Sequence, residues 1–268
     1  MSRIDPITTR RRVSELPAIS LADLNEAASL QMRVDRKYVV NEKQLLAMIG
    51  AIATRLAALE IDGQRAFAYE SVYFDTPAFE SYLSAAHRRR ARFKVRTRSY
   101  LDGGFTMLEV KTRGARNVTV KNRQEYGFEN RAIVVPESHP FVDSVTGRVG
   151  LGAQLSPVLT TEYERTTLVD LDDIARLTVD ANLRCTDWKS DQVQLGASYV
   201  VETKTSGPPS TADRWLWSRG IRPTKISKFG TGLAALNPGL PSNKWHRTIN
   251  RHFADRPALR DLVQLTGC

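Results

Sequence analysis

Polar and apolar residues alternate along RFKVRTRSYLDGGFTMLEVKTR, the segment from Arg92 to Arg113, in two runs around a turn at Gly103 and Gly104. A period of two predicts β-strands, and two such runs joined by a short turn predict a hairpin. Side chains two residues apart share a face of a strand. The predicted shared face carries Lys94, Arg96 and Arg98 from the first strand, and Glu109, Lys111 and Arg113 from the second. One face of this hairpin is therefore strongly cationic.

The same alternation recurs in five further segments, which carry Arg33, Asp35 and Lys37; Lys121, Arg123 and Glu125; Tyr163 and Arg165; Glu202 and Lys204; and Lys225 and Ser227, followed by Lys228. In a single hairpin, a solvated charged face is as good an interpretation as a binding face. Like charges on neighbouring strands are destabilising, so their recurrence in about six strands is poorly explained as surface decoration. A closed or nearly closed sheet can turn such a face inward around a wet lumen. We expect that lumen to bind a polyanion.

Helical patterns flank these strands. Ser20 is predicted to cap a short helix, and Asn41 to cap a long amphipathic helix that continues to Glu60. Further helices are expected in FESYLSAAHRRR and ADRWLWSRG. Residues 1–17 are predicted to be a disordered basic lead, residues 18–240 one compact domain, and residues 241–268 a C-terminal extension.

Composition narrows the function. The chain has 268 residues, is 41% hydrophobic and carries a formal net charge of +10. This charge predicts an anionic partner such as nucleic acid, a phosphate compound or a membrane surface. Two cysteines, Cys185 and Cys268, form no disulfide framework. With no signal peptide and no apolar span long enough for a bilayer, we expect a soluble cytoplasmic protein.

Arginine and lysine clusters suit linear phosphates, because guanidinium groups grip phosphoryl oxygens in pairs and lysines act as mobile point charges. Glu109 and Glu202 lie among these cations. Each carboxylate is interpreted either as a ligand for Mg²⁺ or Mn²⁺ beside phosphate oxygens, or as an internal salt bridge that spaces the cations. The two interpretations are balanced for Glu109, and Glu202 is the better metal candidate. No Walker loop, dinucleotide fingerprint or HExxH motif is present, and the four histidines lack ligand spacing.

Seven short motifs occur in order between about Asp35 and Leu233: RKYVV, SVYFDT, RFKVRTRSY, LEVKTR, YERT, VETKT and KISKFGTG. Together they resemble the VTC domain, the polyphosphate polymerase branch of the triphosphate tunnel metalloenzymes (the CYTH-like superfamily). The resemblance implies an α+β fold with an antiparallel eight-stranded closed tunnel barrel and helices packed outside. It also implies ATP-dependent synthesis of polyphosphate with Mn²⁺ or Mg²⁺.

The resemblance assigns residues by motif. Those implied to be catalytic are Lys37, Arg96, Arg98, Lys111, Arg165 and Glu202. Those implied to bind phosphate are Lys94, Lys121, Tyr163, Lys204, Lys225, Ser227 and Lys228. Glu202 is implied to bind the metal, and Glu109 stays a second metal candidate on the strength of its position among the cations.

The first strand departs from the E-x-E-x-K pattern of the hydrolytic tunnel enzymes, because Arg33, Asp35 and Lys37 stand at those positions. Hydrolysis needs acids that position and deprotonate water. Extension of a phosphate chain depends mainly on alignment and charge neutralisation, since its acceptor is already an oxyanion. Fewer acids and more cations therefore favour the polymerase.

Two alternatives stay open: a tripolyphosphatase or nucleoside triphosphatase of the same fold, and a non-catalytic binder of polyanions or RNA that uses HRRRARFKVRTR. Readers of single strands need aromatic platforms, and only Phe93 and Tyr100 flank this cluster. The expected partners are ATP and polyphosphate, with no specific nucleic acid. The sequence shows neither the SPX sensor nor the membrane helices of the eukaryotic proteins that it resembles. Peripheral association with a separate membrane protein is a further hypothesis, motivated by the basic lead.

Overall fold

The computed structural model describes residues 7–27, 34–113 and 119–254. The helices in this part of the chain are α1 (Ile7–Ser14), α2 (Leu21–Ala27), α3 (Glu42–Ile52), α4 (Glu80–Ala86), α5 (His139–Thr146), α6 (Thr211–Ser218), α7 (Lys228–Leu236) and α8 (His246–His252). The strands are β1 (Ala18–Ile19), β2 (Val34–Val40), β3 (Leu56–Leu59), β4 (Phe67–Asp75), β5 (Arg92–Tyr100), β6 (Phe105–Arg113), β7 (Thr119–Tyr126), β8 (Ser156–Asp170), β9 (Ala175–Asp187), β10 (Gln192–Leu195), β11 (Tyr199–Thr205) and β12 (Phe253–Ala254). The protein is thus α+β, as predicted. None of these helices is both long and apolar enough to cross a membrane.

The chain forms two compact units, to which strands β8 and β9 both contribute residues. The first unit comprises residues 1–68, 163–183 and 195–226, and the second comprises the rest. The strand registers are antiparallel, apart from the short parallel pairing of β1 with β3.

In the first unit, β11 lies between β2 and β9. One face of these strands is apolar and packs against α3 and α6, where Tyr38, Val201 and Leu177 are fully buried. Asn41 is the N-cap of helix α3, as predicted. The Asn41 side chain accepts from the Gln44 backbone N–H, and the Gln44 side chain accepts from the Asn41 N–H. This capping box satisfies donors that the first helical turn leaves unpaired.

In the second unit, β4, β5, β6 and β7 pair in sequence order. Along β5, buried and half-buried residues alternate without exception. Val95, Leu108 and Val110 are at most 1% exposed and form one core cluster. The predicted hairpin is therefore confirmed, with one face on the core and its charged residues on the other.

Three predicted elements were wrong. Residues 7–14 of the predicted disordered lead form helix α1, because Val13 and Leu16 reach the core of the first unit. The helix capped by Asn41 was predicted to reach Glu60 but ends at Ile52, and strand β3 follows. Its four residues are all buried, and the first three pair with β8. So short an apolar run has no periodicity that separates helix from strand.

The third error is the strand predicted around Lys225 and Ser227. The chain is irregular there and enters α7, with Ser227 as its N-cap accepting from the Gly230 N–H at 3.2 Å. Among the residues named from sequence, Arg33 and Cys268 lie outside the described part of the chain. The proposed boundary at residue 240 stays a prediction. Trp245 beyond it is buried against Gly230 within the second unit.

Asp75 holds the start of helix α4. One carboxylate oxygen accepts from the backbone N–H groups of Thr76 (2.8 Å) and Ser81 (2.9 Å), and the other from that of Tyr82 (2.8 Å). Burial raises the pKa of Asp75 to about 6, and these N–H groups act against that rise. The group is therefore ionised at pH 7.5 and caps donors that water does not reach.

Replacing Asp75 with Asn tests this role. An amide offers only one acceptor oxygen and places its NH₂ against a backbone donor, so we expect a loss of about 1–3 kcal/mol of unfolding free energy at pH 7.5. Urea denaturation followed by circular dichroism measures it. Glu137→Gln, an exposed carboxylate, is the control and should change little. Equal stability of the two variants would contradict the capping role.

Candidate functional site

The sheet β4–β7 carries a cationic face, defined here by Lys94, Arg96, Arg98, Glu109, Lys111 and Lys121. Directly opposed residues on paired strands point to the same side of a sheet, so the register arranges these side chains in rows. Lys94, Lys111 and Lys121 form one row across β5, β6 and β7. Arg96 and Glu109 stand in the next row, and Arg98 in the row after it.

Glu109 is the carboxylate around which this face is built. It is 1% exposed. One oxygen accepts from Arg96 Nε (2.8 Å) and Nη2 (2.5 Å), and the other pairs with Lys121 Nζ. Burial alone would raise its pKa, but the charges of Arg96, Arg98 and Lys121 outweigh burial and hold the pKa well below its usual value. Of the two interpretations from sequence, these contacts favour the internal ion pair for Glu109.

Lys111 and Arg98 are the members of the cationic face that the described residues satisfy least. Lys111 forms no ion pair within the described residues, and burial, with Arg96 close by, lowers its pKa to about 7. The Nε of Arg98 is buried and has no hydrogen-bond partner in the part of the chain described. Buried donors and charges without partners are costly, and an anion on this face would satisfy both.

A second cluster lies in the first unit and is called the Glu202 cluster: Lys37, Arg165, Asp180, Glu202 and Lys204. Glu202 stands opposite Lys37 across β11 and β2, and its two oxygens contact Lys37 Nζ (2.5 Å) and Lys204 Nζ (3.5 Å). Burial opposes ionisation of Glu202, but Lys204, Lys37 and Arg165 hold its pKa well below its usual value. The carboxylate is thus charged and surrounded by cations.

Arg165 is fixed by a residue that sequence reasoning did not assign to the site. Asp180 accepts from Arg165 Nε at 2.6 Å and Nη2 at 2.9 Å, and Asp180 is 2% exposed. Such a fork orients a guanidinium firmly. The Arg165 guanidinium also lies over the Tyr163 ring, 5.3 Å from its centroid. The alternation of Thr178 and Asp180 along β9 is the signal that could have identified Asp180.

The other residues predicted from sequence lie at the edges of the cationic face and the Glu202 cluster, or outside them. Lys94 donates to the Ser227 hydroxyl (3.1 Å) and lies over the Phe229 ring. Lys228 starts α7 and lowers the pKa of Cys185, which burial raises to about 12. Lys225 belongs to the first unit and is exposed. Tyr73, which accepts from Arg96 Nη1 at 3.0 Å, was missed by the sequence analysis.

Neither carboxylate lies in a ready-made metal cage. Within the described residues, no group of three or more His, Cys, Asp or Glu side chains could hold an ion. One carboxylate with phosphate oxygens and water is a usual way for proteins to bind Mg²⁺, so the donors present fit a metal that arrives with a phosphate substrate.

Comparison with known proteins gives the family. The model of the VTC domain matches residues 32–139 and 143–237, which is more than half of the chain. This chain belongs to the VTC domain family. The predicted resemblance is thereby confirmed, and a search of curated proteins finds no match.

Solved structures resemble this VTC domain at low identity. One is HpAC1 from Hippeastrum, named for adenylyl cyclase and described as having a dominant triphosphatase activity. It is 14% identical with a TM-score of 0.51, covering 75% of this chain and 94% of that one. Another, named for adenylate cyclase, is from Bacillus halodurans: 12% identity, TM-score 0.48, 73% of this chain and 94% of that one. The likeness to HpAC1 shows that the two proteins share a fold.

Removing the charge of Glu109 tests the ion-pair interpretation. Glu109→Gln leaves Arg96 and Lys121 without their buried counter-ion, and breaking such a group costs about 3 kcal/mol or more. We expect urea denaturation at pH 7 to show that loss. We also expect added tripolyphosphate to restore part of it, because an anion can replace the missing charge.

Glu125→Gln is the matched control, since Glu125 lies opposite Met107 on the same sheet and is exposed. It should change stability by less than about 0.5 kcal/mol. If Glu109→Gln were no less stable than this control, the carboxylate would not be holding the cations together.

Proposed function

We propose that this VTC domain is an ATP-dependent polyphosphate polymerase, which transfers the γ-phosphate of a nucleoside triphosphate to the end of a growing polyphosphate chain. The observation that carries the proposal is the cationic face. Lysines and arginines occupy three successive rows there, only Glu109 pairs with them among its defining residues, and Lys111 and Arg98 keep unsatisfied charge or donors. Membership of the VTC family supports the same reaction.

The sheet chemistry suits phosphoryl transfer. Successive rows of a strand are about 7 Å apart, so a linear chain of phosphates can contact one row after another. Arg96 and Arg98 would bind and orient phosphoryl oxygens, and the lysine row would neutralise charge that develops on the transferred group. The acceptor oxygen carries its own negative charge, so no general base is required. Lys37, Arg165 and Lys204 are proposed to bind phosphate in the same reaction. The predicted closed barrel of eight strands is part of this proposal.

A divalent metal, Mg²⁺ or Mn²⁺, is also part of the proposal. Glu202 would hold it, with substrate oxygens and water completing the shell. When bound, the metal supplies charge neutralisation between phosphate oxygens. Asp180 keeps Arg165 oriented beside this carboxylate.

Hydrolysis to orthophosphate is the second candidate, because HpAC1, which shares the fold, is described as having a dominant triphosphatase activity. The chemistry of Asp35 and Lys37 favours the polymerase, since acids that would activate water are few in the described clusters. A cytoplasmic location and peripheral membrane association remain predictions.

One assay distinguishes the candidates. We expect the protein, incubated with ATP and Mn²⁺ and analysed on a sizing gel, to form a ladder of long phosphate polymers. Release of orthophosphate without polymer would identify a triphosphatase instead. Absence of both products would reject phosphoryl transfer and leave a binder of polyanions.

Glu202→Gln should abolish polymer formation, because the neutral side chain loses both its metal affinity and its hold on Lys37 and Lys204. Binding of polyphosphate should persist in this variant. Glu164→Gln is the control, since it breaks only the exposed pair between Glu164 and Arg10. Full activity of Glu202→Gln would refute the role of this carboxylate.

A further inference from the structure

A row of aromatic side chains continues the cationic face at one end. Tyr69, Tyr100 and Phe105 are directly opposed across β4, β5 and β6, one row beyond Arg98. The rings of Tyr100 and Phe105 stack with centroids 4.4 Å apart and planes 11° from parallel, and the Tyr69 ring lies 5.0 Å from that of Tyr100. The alternation that places cations on this face thus places three rings beside them.

The outermost ring of this row is open to solvent and held in place. Phe105 is 49% exposed. One side of its ring is covered by Tyr100, so much of the exposed area lies on the other side. Gly103 in the turn leaves room for this ring position, because a Cβ there would lie 2.9 Å from Phe105 Cε1. An exposed, oriented aromatic ring is a surface on which another flat ring can stack.

The aromatic row is joined to the phosphate-binding residues through Arg98. Its guanidinium carbon lies 5.7 Å from the centroid of the Tyr69 ring, and its Nε lacks a partner among the described residues. The Arg98 row is about 7 Å from the aromatic row along the strands, and the Arg96 row about 7 Å further. A flat ring, a short spacer and a run of phosphates are the parts of a nucleoside triphosphate, in that order.

We propose that the aromatic row of Tyr69, Tyr100 and Phe105 binds the base of the nucleoside triphosphate by stacking on Phe105, with the phosphates directed along Arg98 and Arg96. This inference rests on the proposed function. It specifies at which end of the sheet the base of the nucleotide binds. Stacking tolerates any base, because every base has a π-face. Selection among nucleotides is therefore expected to be weak at this row.

The test separates the base from the phosphates by comparing ATP with inorganic tripolyphosphate, which has no base. Dissociation constants are measured by calorimetry on the full chain, in the presence of Mg²⁺. Phe105→Ala should weaken ATP binding about tenfold or more, the range expected for loss of one stacked base, and leave tripolyphosphate binding unchanged. Phe105→Tyr, which keeps the ring, should bind ATP as the unchanged protein does.

Leu101→Ala is the matched control. Leu101 is an exposed apolar residue in the same turn, 39% exposed, and has no ring. It should bind both ligands normally. Circular dichroism of each variant checks that the hairpin is intact.

Three results would overturn the inference. If Phe105→Ala weakened ATP and tripolyphosphate equally, the residue would serve the fold and not the base. If it weakened neither of them but reduced binding of a single-stranded oligonucleotide, the row would belong to a nucleic-acid site. If the unchanged protein bound neither ATP nor tripolyphosphate, the proposed function itself would fail. The base-free ligand thus distinguishes failure of the proposed function from failure of the base-binding inference.

Discussion

Repulsion between like charges on neighbouring strands is the constraint on which this structure depends. Lys94, Lys111 and Lys121 stand in one row of a sheet, where a row of equal charges is unfavourable. The sheet tolerates them because Glu109 lies in the next row and pairs with two cations at once. In the other unit, Glu202 has the same place among Lys37, Lys204 and Arg165. Both carboxylates are outnumbered, so each cluster keeps a surplus of positive charge.

The same alternation supplies stability and function. The side chains between the cations, such as Val95, Leu108 and Val110, form the core of the second unit. A slip of one residue in register would exchange the two faces, burying charge in the core and exposing apolar groups. The core therefore fixes the register, and the register fixes which cations are neighbours. An anion that binds this face removes a cost that the fold carries when empty, which links the stability of the sheet to its ligand.

The sequence was sufficient for features that depend on local periodicity. The hairpin, its two faces and the capping of α3 by Asn41 follow from spacing and residue type alone. Features that depend on partners distant in the chain were not accessible. Leu56 to Leu59 were predicted to be helical, because it is their pairing with β8 and β1 that makes them a strand. Residues 7–14 were predicted to be disordered, because the packing of Val13 in the core cannot be seen from local sequence.

The site shows the same limit. Alternation placed Glu109 and Arg96 on cationic faces, but only the register makes them direct neighbours. The sequence places Asp180 on a predicted strand, but its ion pair with Arg165 depends on how two strands pack. The aromatic row was missed because Tyr69 is 31 residues before Tyr100 in the sequence. The sequence analysis noted Tyr100 and Phe93 beside the cationic cluster. Tyr100 belongs to the aromatic row, but Phe93 is buried on the opposite face of the strand.

The most direct measurement of the central claim is the affinity of the protein for orthophosphate, pyrophosphate and tripolyphosphate, determined by calorimetry at pH 7. If cations at alternate positions form successive rows for one linear chain, each added phosphate should strengthen binding by about tenfold or more, since each gains charge-assisted hydrogen bonds. Equal and weak affinity for all three would contradict the account, because it would mean that the cations act separately.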